Sequence, residues 1–460
     1  MTTTAISPTG SATGTGHRTL TVAAVGTALT LVAFTAPLAT LDAIATDLGA
    51  DTAGRIWILS SMSVGLGAAL LSAGTLADAY GRRRAFVAGL LVLAMASFVA
   101  ALAPQTPIFV LARLGQGVGG AAVIAASLGL IASAFPAGPA RAAASGVWGA
   151  AVGAGIAAGP LVAAGFDRLT DWRDTYWLLG AAVLAVVVAA QLLVGESRAD
   201  RPRGLDLPGM LTLAVGMSAL LAALVEGRLG WTRPLGLGLI VLAVLALTLF
   251  VLVEARSGAP MLELSLLRQP AFAAATGSAF ATGAGVIGLM AFMSGFLGSA
   301  LGVSALGAAA LLLAWSATSV GSALMARRIP ARISGRTQLA IGLVGVAAGQ
   351  LALGGIGAQA SWVHFVPGLI VAGLASGVLN AALGREAVAS VPPDRSGMGS
   401  GANNTARYLG SAIGVTVVAV LVAGAPGGPI AGWNLATAVT AAISLAGGLL
   451  VLAARPRVGR

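Results

Sequence analysis

Gly74-Thr75-Leu76-Ala77-Asp78-Ala79-Tyr80-Gly81-Arg82-Arg83-Arg84 breaks an otherwise apolar stretch of chain, and its reading decides the fold. Residues 55–77 before it and 85–104 after it are each long and apolar enough to cross a bilayer. The segment therefore reads as a tight loop between two membrane helices. Gly74 permits close approach of a neighbouring helix, Gly81 turns the chain, and Arg82, Arg83 and Arg84 can pair with Asp78 or with facing helix C-termini. An acid and a basic cluster so placed can act as a charged latch. The plainer alternative is a basic loop that only fixes topology.

Working outward, fourteen such apolar stretches lie between residues 20 and 454, parted by short Arg-rich or Gly/Pro-rich breaks. The 460 residues are 57% hydrophobic and 9% charged, with a mean hydropathy of +0.94, which excludes a water-soluble enzyme. Dividing 460 by fourteen gives about 33 residues per span and loop, and a helix of ~20–25 residues leaves nothing for a domain outside the membrane. Residues 1–19 read as a disordered cytoplasmic tail, 20–195 as a six-helix bundle, 196–270 as a linker with two inserted membrane helices, and 271–455 as a second six-helix bundle.

All 26 basic side chains are Arg and the net charge is +11, but the arginines sit in loops, not on one basic stripe, so nucleic acid is not the partner. An inside N-terminus puts 19 arginines in cytoplasmic segments, among them Arg198, Arg201, Arg203, Arg327, Arg328, Arg332, Arg336 and Arg455, against five outside. Both termini are then cytoplasmic, and the expected location of this multi-pass protein is a bacterial inner membrane. Trp57, Trp172, Trp177, Trp231, Trp362 and Trp433 fall at span ends as an interfacial belt; Trp148 and Trp315 fall inside spans, as core or as substrate-stacking residues. There is no cysteine and only two histidines, His17 and His364, so no metal site or cofactor is expected. A phosphate-binding loop needs the lysine this chain lacks, which leaves an ion gradient, here the proton gradient, as the energy source. No nucleophile or paired carboxylates suggest an enzyme.

Two halves are repeated. Arg327-Arg328-Ile329-Pro330-Ala331-Arg332-Ile333-Ser334-Gly335-Arg336 is a degraded copy of the first loop, with Gly335 and Arg336 answering Gly81 and Arg82. In span 4, Arg113, Gln116, Gly117 and Gly120 share one helical face, and an intramembrane Arg is either functional or bound to backbone carbonyls. Span 5 carries Gly155, Gly159 and the kinking Pro160 among close-packing small residues. Span 13 holds a polar band, Asn403, Asn404, Arg407, Tyr408 and Ser411, of the kind that lines cavities or binds neighbouring helices.

The loop at 74–84 resembles the signature loop of the major facilitator superfamily, and Arg113-Leu114-Gly115-Gln116-Gly117 resembles its span-4 motif, implicated in proton coupling. Gly155, Gly159 and Pro160 look like the span-5 motif of drug antiporters, although Ala163-Ala164 stand where paired glycines are usual. Residues 401–410, after Val391-Pro392-Pro393, resemble the penultimate span of the fourteen-span drug:proton antiporter family. The resemblance spans about residues 20–455. It implies an all-α integral membrane protein with the major facilitator fold: two six-helix bundles, two extra central helices, fourteen transmembrane helices.

One departure bears on mechanism. That family's span 1 usually bears an embedded Asp, and here Ala33 occupies its position. Asp42 and Arg113 both sit roughly 8–9 Å deep from the outer side, so Asp42 is the replacement candidate, exchanging a proton for a salt bridge with Arg113. Asp42 as a solvated span-end residue is the alternative. Glu226 and Glu386, the latter facing Arg407, are weaker candidates. The expected function is secondary active export of amphipathic or hydrophobic small molecules by proton antiport with alternating access. The partners are substrate, protons and membrane lipid, with the chain a monomer. The alternative is a facilitator or proton symporter taking up a small polar metabolite.

Overall fold

Prolines, side-chain caps and glycines set the helix boundaries. The protein, described here by a computed structural model over residues 9–199, 206–330, 332–357 and 359–453, is built of helices joined by short loops, with no strand among those residues. The N-terminal half contains α1 (Thr9–Thr35), α2 (Pro37–Asp47), α3 (Thr52–Tyr80), α4 (Arg82–Leu102), α5 (Thr106–Ala134), α6 (Pro139–Leu169) and α7 (Trp172–Leu193). A hairpin, α8 (Leu207–Gly227) and α9 (Pro234–Arg256), follows. The C-terminal half runs through α10 (Pro270–Ala281), a π-helical turn at Thr282–Ile287, α11 (Gly288–Leu301), α12 (Ala305–Met325), α13 (Gly335–Ala352), α14 (Phe365–Ala389), α15 (Ser396–Gly424) and α16 (Gly428–Ala453). Proline opens α2, α5, α6, α8, α9 and α10, where its missing N–H costs nothing. Asp51, Asp171, Asp206, Ser304 and Ser334 cap helix N-termini through their side chains.

The helices α1 and α2 form one span broken at Pro37, as α10 and α11 form one span through the π turn. Among the described residues thirteen stretches are long and apolar enough to cross a membrane, and the shorter α13 brings the spans to fourteen. The expected tail at 1–19 is corrected in part, because residues 9–19 continue α1 as helix; residues 1–8 lie outside the described residues, as do Arg201, Arg203 and Arg455.

Each half has its own core. Leu66, Leu70, Phe86, Leu90 and Ile124 centre the first; Leu289, Met293, Phe296, Leu343 and Leu369 centre the second. The hairpin packs Leu213, Met217, Leu221 and Phe250 with Val64 and Leu71 of α3. The far side of α9 leaves Val241, Val244 and Leu245 uncovered, as a lipid-facing surface requires. Small residues let helices meet closely within the second half: the π turn brings Gly283 so near α15 that a Cβ there would stand 1.9 Å from the Arg407 carbonyl oxygen.

Candidate functional site

Asp78 joins the two halves at one end of the molecule. Its Oδ1 accepts from Arg82 Nε (3.0 Å) and Nη2 (2.9 Å) within its own half, and from the Gly397 N–H (3.0 Å) across the interface. Oδ2 accepts from the Met398 N–H (2.9 Å). Gly397 and Met398 are in the first turn of α15, so a carboxylate meets unpaired amides at the positive end of a helix. Arg82 Nη2 also donates to the Pro393 carbonyl at 3.3 Å. Gly74 lies against Gly397 with no room for a side chain, since a Cβ would stand 2.1 Å from the Gly397 oxygen. Beside this seam a Cβ on Gly146 would stand 2.8 Å from the Ala323 oxygen and one on Gly149 3.1 Å from the Ala381 nitrogen. The latch end is shut at backbone distance.

Glu196, which the sequence reading passed over, organises the rest of the loop. Its oxygens accept from the N–H groups of Arg83 (3.0 Å) and Arg84 (3.2 Å), the first turn of α4, and Arg82 N–H donates to the Ser197 carbonyl (2.8 Å). Gly81 has φ +121°, where other residues are strained, and a Cβ there would run into Glu196. The signal was an acid just after span 6, legible only once that segment is known to return to the loop. The copied loop differs: Gly335 lies against Glu386, and Arg336 donates to the carbonyls of Val451 and Leu452 at the end of α16. Arg332 stands where Asp78 would, so the copied loop has no acid at that position.

Asp42 and Arg113 are not brought together. Asp42 is 93% exposed and pairs with Arg55 at 2.5 Å. Arg113 is fully buried and donates to the carbonyls of Ala33 (2.5 Å) and Phe34 (3.1 Å) and to Gln116 Oε1 (2.8 Å). The cause is Pro37: lacking an N–H, it leaves the Ala33 carbonyl four residues earlier without its helical donor. Arg113 takes that carbonyl, held in place by Gln116, whose Nε2 donates to Ser97 Oγ (2.9 Å). Gly117 packs α5 on α3, where a Cβ would stand 2.3 Å from the Met62 oxygen.

Pro160 repeats the device in α6. It frees the Ile156 carbonyl, which accepts from Thr35 Oγ1 at 3.2 Å. Gly155 and Gly159 make the room: their Cβ atoms would stand 2.4 Å from the Ala28 oxygen and 2.1 Å from Thr35 Oγ1. These glycines therefore join α6 to α1.

Two adjoining cavities, sharing Phe34, Leu38 and Ala291, lie between the halves. A narrow central one of about 80 Å³ is lined by α1, α6, the π turn, α12, α14 and α15, including Phe34, Pro160, Trp315, Asn380, Arg407 and Tyr408. A wider one of about 750 Å³ continues from Phe34, Leu38 and Ala291 toward the end opposite the latch, between α3, α8, α11 and α15. Its volume is that of a drug-sized site. The two linings include Arg55, Arg228 and Arg407 but neither Asp nor Glu. Arg228, in the turn after α8, donates to Ser60 Oγ (3.2 Å) and Thr416 Oγ1 (3.4 Å). Burial pushes its pKa down to about 10, so it stays cationic at neutral pH.

Of the cavity candidates, Arg407 and Trp315 line the central cavity, the latter donating to Ser376 Oγ at 3.2 Å. The others are corrected. Trp148 is core, donating to Ser127 Oγ at 2.9 Å and packing on Gly384. Asn403 and Asn404 are buried on backbone carbonyls instead of facing the cavities: Asn403 ties α15 to α10 through the Ala275 carbonyl (2.9 Å), and Asn404 donates to the Ser400 carbonyl of its own helix (3.0 Å). Glu386 pairs with Arg385 (3.1 Å), not Arg407. Trp433 leaves the expected belt, being fully buried and stacked on Phe296 at 4.3 Å. Trp172 is also buried, donating to Asp47 at 3.2 Å. Glu226 is a buried helix-end residue, accepting from Trp57 Nε1 (2.9 Å) and pairing with Arg233 (3.3 Å).

A helical membrane protein of two such halves, shut at one end around a central cavity, is a solute carrier and not an enzyme. The chain belongs to the major facilitator superfamily, whose family model matches residues 23–415, and within it to the multidrug-efflux type. It is 33% identical to the puromycin resistance protein pur8 of Streptomyces alboniger over 430 residues, covering 90% of this chain and 85% of that one. It is 31% identical to the multidrug resistance protein Stp of Mycobacterium tuberculosis over 374 residues, covering 80% and 69%. The fold is also that of the solved proton:xylose symporter XylE, with a TM-score of 0.71 at 15% identity over 96% of each chain.

Proposed function

We propose that the protein exports amphipathic small molecules across a bacterial plasma membrane by proton antiport with alternating access, its latch end and both termini facing the cytoplasm. The observation that carries this reading is the asymmetry between the ends: backbone-close contact around Asp78 at one, a 750 Å³ opening at the other. This is the geometry of a carrier that has sealed its loading side and faces its release side. The excess of arginine at the latch end supports the orientation, and the resistance proteins among the relatives support export. The linings are mainly apolar, with few amides, which favours apolar bulk over a sugar or other polar nutrient.

Among the described residues four carboxylates are buried: Asp78, Asp206, Glu226 and Glu254. Asp78 is committed to the latch. Asp206 and Glu254 are at the latch-end termini of α8 and α9, away from both cavity linings. Glu226 flanks the wide cavity between Val225 and Gly227, and we assign proton uptake to it. Proteoliposomes with an imposed pH gradient test the reading. Wild type and Asp42→Asn should concentrate a neutral amphipathic drug, and Glu226→Gln should not. Transport indifferent to the gradient in wild type refutes antiport; a fully coupled Glu226→Gln refutes the assignment of the proton site.

A further inference from the structure

The transport route carries positive charge with no acid to balance it. Of the three arginines in the two linings, Arg55 is neutralised by Asp42. Arg228 meets only the hydroxyls of Ser60 and Thr416, and the nearby carboxylate of Glu226 is turned to Trp57 and Arg233. Arg407 is 3% exposed, makes no ion pair among the described residues, and has its guanidinium 5.6 Å from the Tyr408 ring centre. Its Nε has no hydrogen-bond partner. A guanidinium with no carboxylate partner inside a membrane protein is costly, and a ligand that supplies the counter-charge recovers that cost on binding. Around Arg407 the central cavity offers apolar and aromatic surface: Phe34, Ile156, Met290, Trp315 and Tyr408. The chain also lacks the acid that its resemblance to the drug antiporters leads one to expect in span 1. Ala33 stands there, and Arg113 is occupied by backbone carbonyls.

We propose that the preferred substrates are amphipathic anions, molecules with an apolar ring body and one carboxylate, sulfonate or phenolate, whose anionic group pairs with Arg407 and passes Arg228 on leaving. This deepens the export reading above and rests on it. An organic cation of the same size would meet two uncompensated positive charges and no carboxylate.

Three probes sharing a 2-substituted naphthalene and differing in charge make the test: naphthalene-2-sulfonate, 2-naphthalenemethanol and N,N,N-trimethyl-2-naphthylammonium. Equilibrium binding to the purified full-length protein, read by radiolabel, should rank sulfonate over alcohol over ammonium. Arg407→Gln should weaken the sulfonate by about 10- to 100-fold, the worth of one charge-assisted pair, and leave the alcohol unchanged. Arg407→Lys should restore most of the sulfonate affinity. Arg228→Gln should slow sulfonate association without changing that of the alcohol. The proposal is overturned if wild type binds the ammonium as tightly as the sulfonate, if Arg407→Gln keeps the wild-type ratio of sulfonate to alcohol, or if Arg407→Gln loses every probe and Arg407→Lys does not recover the sulfonate. Transport of the same probes under a pH gradient separates the two readings. Selective sulfonate binding without gradient-driven movement removes proton antiport and leaves the anion site; gradient-driven export of the ammonium alone removes the anion site and leaves antiport.

Discussion

Asp78→Asn should unlatch the closed end, and the hydrogen bonds set the size of the effect. Two of the four bonds to the carboxylate cross between the halves, from Gly397 (3.0 Å) and Met398 (2.9 Å). A hydrogen bond to a charged group is worth about 1.5–3 kcal/mol, and an asparagine oxygen keeps one of the two as a weaker neutral bond. The net loss to the closed arrangement is then about 2–4 kcal/mol, or roughly a 30- to 1,000-fold shift of the closed-to-open ratio. The chain has no cysteine, so a single introduced one reports without background. Ser400 is suited to this: it is fully buried in the seam, its Oγ 3.4 Å from the Ile124 oxygen across the interface. A maleimide should reach Ser400→Cys slowly in the wild-type background and at least about 30-fold faster with Asp78→Asn, the lower end of that range. Arg82→Gln should give a smaller rise, because Arg82 crosses the interface only to Pro393. Equal labelling rates in the Asp78→Asn and wild-type backgrounds, with both proteins folded, would refute the latch.

Gly397→Ala should act in the same direction by sterics, since a Cβ there would stand 2.5 Å from the Gly74 oxygen; faster Ser400→Cys labelling with loss of drug transport is the expected outcome. Thr35→Val should leave the Ile156 carbonyl, freed by Pro160, without a donor, at a cost of about 1–3 kcal/mol, read as a lower Tm in detergent. Asp42→Asn should change stability by less than about 1 kcal/mol, because its pair with Arg55 is open to solvent on the Asp42 side. Ala33→Gly should leave Arg113 in place, because the guanidinium holds the Ala33 carbonyl and not its side chain, so transport of a neutral drug should be unchanged.

The fold was legible because its determinants are local. Apolar length gives the spans, prolines and caps give their starts, and within the loop the Asp78–Arg82 pair is four residues apart, whereas its partners Glu196, Gly397 and Met398 come from distant segments. The site was legible only where a residue type has one use in a membrane. Arg407 and Trp315 face the cavity as their polarity inside apolar spans suggested. The same argument failed for Asn403 and Asn404, since an amide can satisfy itself on a neighbouring backbone as well as on a ligand. It failed for Asp42 with Arg113 because equal depth along two helices says nothing of rotation about them, and because the carbonyl freed by Pro37 was a competing partner nearer to Arg113. That carbonyl is neutral. An arginine held by backbone dipoles cannot trade its partner for a proton as one held by a carboxylate can. With Ala33 and Phe34 supplying only backbone carbonyls, Arg113 has no titratable partner in span 1. Under the antiport proposed above, coupling uses another acid, Glu226, and the central cavity, whose lining holds Arg407 and neither Asp nor Glu, is suited to the opposite charge in its cargo.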